Sequence, residues 1–117
     1  MNLAKKLFIA TAVSSLFVTA AFAGNASLVK EGAKIFNTKK MGNCLACHAV
    51  NGKKINNPGS MGPTLTGLKD WPKQALYDKI YNPNKTNPVS QMPAFGINGW
   101  LSDHQIKALV AYLKTVK

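Results

Sequence analysis

Cysteine and arginine are conspicuously scarce in this sequence, which has two cysteines and no arginine among its 117 residues. Cys44 and Cys47 lie three positions apart, so no disulfide framework is available to stabilise a small fold. Acidic residues number four, and the formal net charge of +11 comes from lysine. Nucleic-acid sites favour arginine forks with interleaved aromatic residues, so this composition argues against a nucleic-acid partner. It favours acidic protein surfaces or an anionic substrate, with solubility alone as the alternative.

The N-terminus has the order of a secretory signal peptide. Lys5 and Lys6 form a basic start, an apolar stretch follows, and Ala21-Phe22-Ala23 is a small-residue cleavage pattern. An uncleaved membrane anchor is the alternative, but the apolar run of about 16 residues is shorter than the ~20 of a spanning helix. The sequence therefore predicts a cleaved signal over residues 1–23 and one domain over 24–117. We expect an exported, soluble, periplasmic protein without stable membrane insertion.

The remaining chain shows helical periodicity and no alternation typical of a half-buried strand. Helices are predicted over 28–38, over 72–81 with Asp70 as the cap, and from 102 to the C-terminus, where Ser102 and Gln105 form a capping box. Two irregular stretches, 51–69 and 82–99, are rich in Gly, Pro and Asn. An all-α fold is expected, with its long loops wrapped around a cofactor.

The cofactor is indicated by Cys44-Leu45-Ala46-Cys47-His48. Two cysteines on one turn can form thioethers with the vinyl groups of one porphyrin, and the following histidine can ligate its iron. A zinc site would need four ligands, but the sequence has no second cysteine pair. A thioredoxin-like redox pair would need a βαβ context, which the sequence lacks. The motif therefore predicts one covalently bound haem c, held by Cys44 and Cys47, with His48 on the iron.

The second axial ligand is a choice among Met41, Met61, Met92 and His104. Met92 is favoured because a long connection lets it reach the face opposite His48 and because Pro93 restricts its backbone. A methionine is otherwise often a flexible core filler. An iron closed by histidine and methionine leaves no place for substrate, so the site is expected to pass single electrons.

The chain resembles class I cytochromes c across most of residues 24–117. Gly32-x-x-x-Phe36 is similar to that family's N-terminal helix signature, and Tyr112 to the aromatic that meets it. Gly62-Pro63-Thr64-Leu65 resembles the turn after the haem motif. The resemblance implies that the Pro63 carbonyl accepts the ring N–H of His48, which orients the ring.

A narrower resemblance is to SoxX, the monohaem subunit of the SoxAX thiosulfate-oxidising cytochrome. It rests on the segments 42–48, 58–63, 87–88, 92–96 and 101–113. It implies a heterodimer with a SoxA-like haem protein that couples thiosulfate to a carrier-protein cysteine (an L-cysteine S-thiosulfotransferase type of enzyme). This chain would accept the electrons and pass them to a downstream cytochrome. It has no further cysteine, so it would not be catalytic alone. The alternative is a freely diffusing carrier that serves an oxidase or another dehydrogenase.

Overall fold

A computed structural model describes residues 25–117, and in this part of the chain the regular structure is helical. Helix α1 is present from residue 25, where the description begins, to residue 37. Helix α2 is Lys73–Tyr81 and helix α3 is Asp103–Leu113. Short 3₁₀ helices cover Cys44–Ala46, Leu68–Asp70 and Pro83–Lys85. The described residues contain no strand beyond one isolated bridge between Val50 and Leu65, which confirms the all-α prediction. The predicted signal peptide, 1–23, lies outside the described residues.

The two predicted caps have different outcomes. Helix α3 begins with a complete capping box, in which Ser102 Oγ accepts from the Gln105 amide at 3.2 Å and Gln105 Oε1 accepts from the Ser102 amide at 2.8 Å. The prediction that Asp70 caps α2 was wrong, since the N-cap is Pro72 and Asp70 belongs to a 3₁₀ turn. The proline keeps Trp71 before it extended, and Pro72 is itself extended with ψ 138°, so the helix begins at Lys73 and Asp70 lies outside it.

The core lies where α1 crosses α3. Gly32 permits a close approach, because a Cβ at this position would lie 2.0 Å from the carbonyl oxygen of Ala108. Next to it the rings of Phe36 and Tyr112 pack with their centroids 5.5 Å apart. The largest fully buried side chains around this crossing are Ile35, Phe36, Ile106, Leu109 and Val116. This packing holds α1 and α3 together, and the loops fold against them.

The long loop between α1 and α2 is tied to the C-terminal turn. Asn51 Nδ2 donates to the carbonyl of Lys117 at 2.9 Å, and the Lys69 amide donates to the carbonyl of Val116 at 2.9 Å. Lys53 Nζ lies 2.9 Å from Thr115 Oγ1. An irregular segment is therefore held at both ends against the helical core. Among the described helices, none combines the length and the apolar character needed to cross a bilayer.

Candidate functional site

The loops enclose a cavity of about 570 Å³ on one side of the helical core. This volume falls within the range typical of sites for small molecules and cofactors. The cavity brings together both cysteines, the motif histidine and three of the sequence's methionines. Its lining includes Met41, Cys44, Cys47, His48, Met61 and Met92. Residues far apart in sequence thus share one site, and Cys44 and Met92, for example, are 48 positions apart.

A single tight turn presents the two thiols and the imidazole. Asn43 has a left-handed backbone with φ 50°, which asparagine tolerates better than most residues. It leads into the 3₁₀ helix Cys44–Ala46. The amides of Cys47 and His48 both donate to the Cys44 carbonyl, at 3.1 and 3.0 Å. Because both amides bond to the same carbonyl, the turn is tight, and the side chains of Cys44, Cys47 and His48 leave the backbone at neighbouring positions.

The orientation of His48 is set by the loop that returns beside it. His48 Nδ1 lies 2.7 Å from the carbonyl oxygen of Pro63. A carbonyl can only accept, so Nδ1 carries the proton and Nε2 keeps its lone pair for a metal. Gly62 lies flat against the ring, since a Cβ there would be 2.4 Å from His48 Cε1. The Gly62 amide also donates to the Cys47 carbonyl at 2.8 Å, which fixes the loop to the motif itself.

The two thiols are not joined to each other in this structure. Burial, the largest influence, raises the pKa of the Cys44 thiol from 9.0 to about 12. The thiol is therefore uncharged at neutral pH, which suits contact with an apolar ring. It does not suit a thioredoxin-like redox pair, whose nucleophile is a thiolate with a lowered pKa. Among the described residues, no three His, Cys, Asp or Glu side chains lie close enough to hold a metal ion, so a zinc site has no support there either.

The methionines occupy different parts of the wall. Met61 is 79% exposed, and its segment is bonded to the haem motif, with the Gly59 amide donating to the Leu45 carbonyl at 2.9 Å. Met61 thus belongs to the side of the cavity that holds His48. Met92 is half-buried and packs against the core from the later loop. Met41 follows α1, and its amide donates to the Thr38 carbonyl at 3.0 Å.

His104 lies outside the cavity lining. Its Nε2 is 3.0 Å from Glu31 Oε2, in an exposed pair that joins α3 to α1. None of the four acidic side chains lines the cavity, and the charged residue that does is Lys39. The environment of the cavity is therefore apolar to positive.

Several lining residues were not singled out as site residues by the sequence. Ser90 and Asn87 carry no periodic signal because they lie in an irregular loop. Trp100, 62% exposed, and Phe95, 7% exposed, pack edge to face with their ring centroids 6.1 Å apart.

The donor set fits a covalently attached haem. Two thiols lie on one turn, an imidazole has its tautomer fixed for metal binding by the Pro63 carbonyl, and thioethers line the same cavity. Thiol, imidazole and thioether are the groups that hold haem in c-type sites. Within residues 25–117, no group of three or more His, Cys, Asp or Glu side chains offers an alternative metal site.

Comparison with known proteins agrees with this chemistry. The family model described as cytochrome c matches residues 29–117. An uncharacterized lipoprotein of Aquifex aeolicus (strain VF5) is 39% identical over 93 residues, covering 75% of this chain and 45% of the relative. The chain thus spans less than half the length of that relative. Cytochrome c6 of Leptolyngbya boryana is 35% identical over 83 residues, covering 70% of this chain and 85% of the relative.

Among solved structures, the chain is similar to a chain in the crystal structure of SoxXA from P. pantotrophus. The TM-score is 0.66 with 30% sequence identity, and the match covers 74% of this chain and 79% of the other.

Proposed function

We propose a function from one premise: this chain belongs to the cytochrome c family, whose members transfer electrons. The family membership implies a covalently bound haem c. In our proposal Cys44 and Cys47 attach it, and His48 and Met92 are its axial ligands. The observation that carries the assignment is that both thiols, the imidazole of His48 and Met92 line one cavity, and Met92 is preferred to Met41 and Met61 because it lies on the loop apart from the haem motif.

Each residue has a separate task in this site. The thiols form the thioether links, and the Pro63 carbonyl holds the imidazole of His48 with Nε2 free for the iron. Met92 would supply the second ligand to the iron, a neutral thioether. When bound, haem c supplies a one-electron couple, and ligation by histidine and methionine leaves no open position for substrate. The chain's own chemistry is therefore positioning, with no bond of a substrate made or broken here.

The finer proposal is that this protein is the electron-accepting SoxX-type subunit of a thiosulfate-oxidising heterodimer. The likeness to a SoxXA chain supports it. The chain's two thiols both belong to the haem motif, so the coupling of thiosulfate to a carrier-protein cysteine would be the task of a SoxA-like haem protein. Electrons would then pass through this chain to a downstream cytochrome.

Apolar side chains are exposed beside the cavity. Trp100 and Met61 also line the cavity itself, so part of their exposure, 62% and 79%, faces the space that the haem would fill. Ile97, on the same loop as Trp100, is 58% exposed. Exposed apolar side chains gathered at one place are typical of an interface. Phe95, in contrast, is buried and serves the core.

We further propose that the protein is exported to the periplasm. The basic start, the apolar stretch and Ala21-Phe22-Ala23 support cleavage after residue 23. Haem attachment would use both thiols of the chain, so neither would be left to form a disulfide in the oxidising periplasm.

A freely diffusing electron carrier is the second candidate. The observation that favours it is the 35% identity with cytochrome c6, which this chain matches over 85% of that protein's length. The lysine-rich composition would then serve fast, salt-sensitive encounters with acidic partners. A carrier and a subunit share the same haem site, so the site alone does not separate them.

The ligand assignment is tested by paired methionine variants of the holoprotein. Met92→Ala should abolish the weak far-red absorption band of ferric iron bound to a thioether. Met61→Ala, in the same cavity, should retain it. Retention of the band in Met92→Ala, or its loss in Met61→Ala, would show that the ligands are assigned wrongly.

The subunit proposal is tested by purifying the protein from its native periplasm. A second haem protein should travel with it through high salt, and thiosulfate should reduce the pair. A lone monomer that thiosulfate does not reduce, but whose association with acidic proteins weakens with salt, would favour the free carrier.

A further inference from the structure

The loop between α2 and the proposed ligand Met92 is closed by its own polar side chains. Asn84 Nδ2 lies 3.2 Å from the carbonyl oxygen of Ser90 and 3.5 Å from that of Asn87. Both partners are carbonyls, which only accept, so the amide group of Asn84 acts as a donor to both. One exposed side chain at the start of the loop therefore reaches its far end.

Ser90 passes this constraint on to Met92. Its amide donates to the Asn87 carbonyl at 3.0 Å, and its carbonyl accepts from Asn84. Its hydroxyl oxygen accepts from the Met92 amide at 3.3 Å. Ser90 thus bonds on one side to the loop and on the other to the backbone of the proposed ligand.

The same loop has firm anchors at both ends. Pro83 is among the fully buried side chains, and its carbonyl accepts from the Asn87 amide at 3.1 Å. Lys79 Nζ on α2 lies 2.8 Å from Thr86 Oγ1. After Met92, Pro93 restricts the backbone and Phe95 is buried in the core. Between these anchors, the loop backbone is held by the hydrogen bonds of Asn84 and Ser90 and by the Val89 amide, which donates to Asn87 Oδ1 at 3.3 Å.

We propose that Asn84 and Ser90 are positioning residues that hold Met92 toward the iron without touching it. This inference rests on the proposed ligation by Met92. A thioether is a neutral ligand and supplies no charge attraction, so its hold depends on the loop presenting it in place. When the loop loosens, the detached state of Met92 becomes more populated, and an external ligand competes more easily by the same factor.

The size of the effect follows from the bonds involved. Removing one neutral hydrogen bond at a partly exposed site changes an equilibrium by about twofold to tenfold. We therefore expect Ser90→Ala and Asn84→Asp to bind added imidazole about twofold to tenfold more tightly in the ferric holoprotein. Asn84→Asp keeps the side-chain size but replaces the donor by an acceptor that faces two carbonyls.

Matched variants separate positioning from general damage. Ser90→Thr keeps the hydroxyl and should restore the imidazole affinity of the parent. Asn98→Asp makes the same change of charge in an exposed residue of the next turn, where no side-chain hydrogen bond links it to Met92, and should leave the affinity unchanged. Hydrogen exchange gives a second measurement, since the Met92 amide should lose protection in Ser90→Ala and not in Ser90→Thr.

The outcomes distinguish this inference from the proposal beneath it. If the parent protein lacks the far-red thioether band, ligation by Met92 fails and this inference falls with it. If the band is present and lost in Met92→Ala, but Ser90→Ala and Asn84→Asp bind imidazole like the parent, the positioning role is overturned while the ligation stands. An increase in both variants with rescue by Ser90→Thr supports it.

Discussion

Gly32 lies where α1 crosses α3, and its replacement by alanine tests how close these helices must approach. A Cβ at position 32 would lie 2.0 Å from the carbonyl oxygen of Ala108 and 2.7 Å from the Cβ of Tyr112. Both distances are far below ordinary van der Waals contact, so the helices would have to move apart by roughly an ångström. The obstacle is backbone, which cannot turn aside as a flexible side chain can.

Two opposing effects set the magnitude. Overpacking a core destabilises by about 1–3 kcal/mol, and a collision with backbone belongs to the upper part of that range. Alanine is more favourable than glycine inside a helix by about 1 kcal/mol. We expect a net loss of about 2 kcal/mol in the free energy of unfolding. For a domain of this size, that corresponds to a melting temperature lower by ~8–16 °C.

The measurement is guanidinium unfolding of the holoprotein followed by far-UV circular dichroism. Lys30 is exposed on the same helix, so comparing Lys30→Gly with Lys30→Ala measures the helix propensity in place. Alanine should be the more stable residue at position 30 and the less stable one at position 32. If Gly32→Ala gained about 1 kcal/mol, as an open helical position would, the close crossing would be refuted.

Three further predictions concern the site and its surroundings. Gly62→Ala should displace the imidazole of His48, destabilise the protein by about 1–3 kcal/mol and alter the absorption of the ferric haem; an unchanged spectrum and stability would contradict the packing. A hydrogen bond to Asp103 raises the pKa of Tyr77 to about 12 and lowers that of Asp103. The tyrosine's contribution to stability is thus complete below its ordinary pKa of 10.0 and is lost as the pH rises toward 12. The contribution of the Asp103 carboxylate is present at neutral pH and is lost as the pH falls below its ordinary pKa of 3.8. Tyr77→Phe should flatten the pH dependence of unfolding at both ends. His104→Gln should leave the haem spectrum as it is, since the ring lies on the surface; a changed axial-ligand band would contradict this.

The features that the sequence predicted correctly are those that depend on residues a few positions apart in the chain. The capping box of Ser102 and Gln105 and the turn of Cys44 to His48 each lie within a few positions, so their geometry follows from local spacing. The predicted cap Asp70 is wrong for a local reason too, because Pro72 lies between Asp70 and the helix and is itself the extended N-cap residue.

Contacts between distant loops were beyond local inference. Pro63 is 15 positions from His48, and only the family resemblance, with no periodicity, pointed to its carbonyl. The bonds of Asn84 and Ser90 have no periodic signature, since they depend on how an irregular loop folds onto itself. The sequence favours Met92 over Met41, Met61 and His104; in the structure Met92 lines the same cavity as Met41 and Met61, and its ligation of the iron stays a prediction.

The hydrogen bonds that hold the two walls of the cavity differ in length, so the two walls should not open together during unfolding. On the side of His48, the Pro63 contact measures 2.7 Å, and the Gly62 and Leu65 amides each donate to a carbonyl near the motif at 2.8 Å. On the side of Met92, the Ser90 amide donates to the Asn87 carbonyl at 3.0 Å, whereas the two bonds that involve the side chains of Asn84 and Ser90 are longer, at 3.2 and 3.3 Å. His48 also follows directly on a covalently attached cysteine in the proposed holoprotein, whereas Met92 is held by its loop alone. Local opening should therefore begin at the loop of Met92 and leave the histidine side in place.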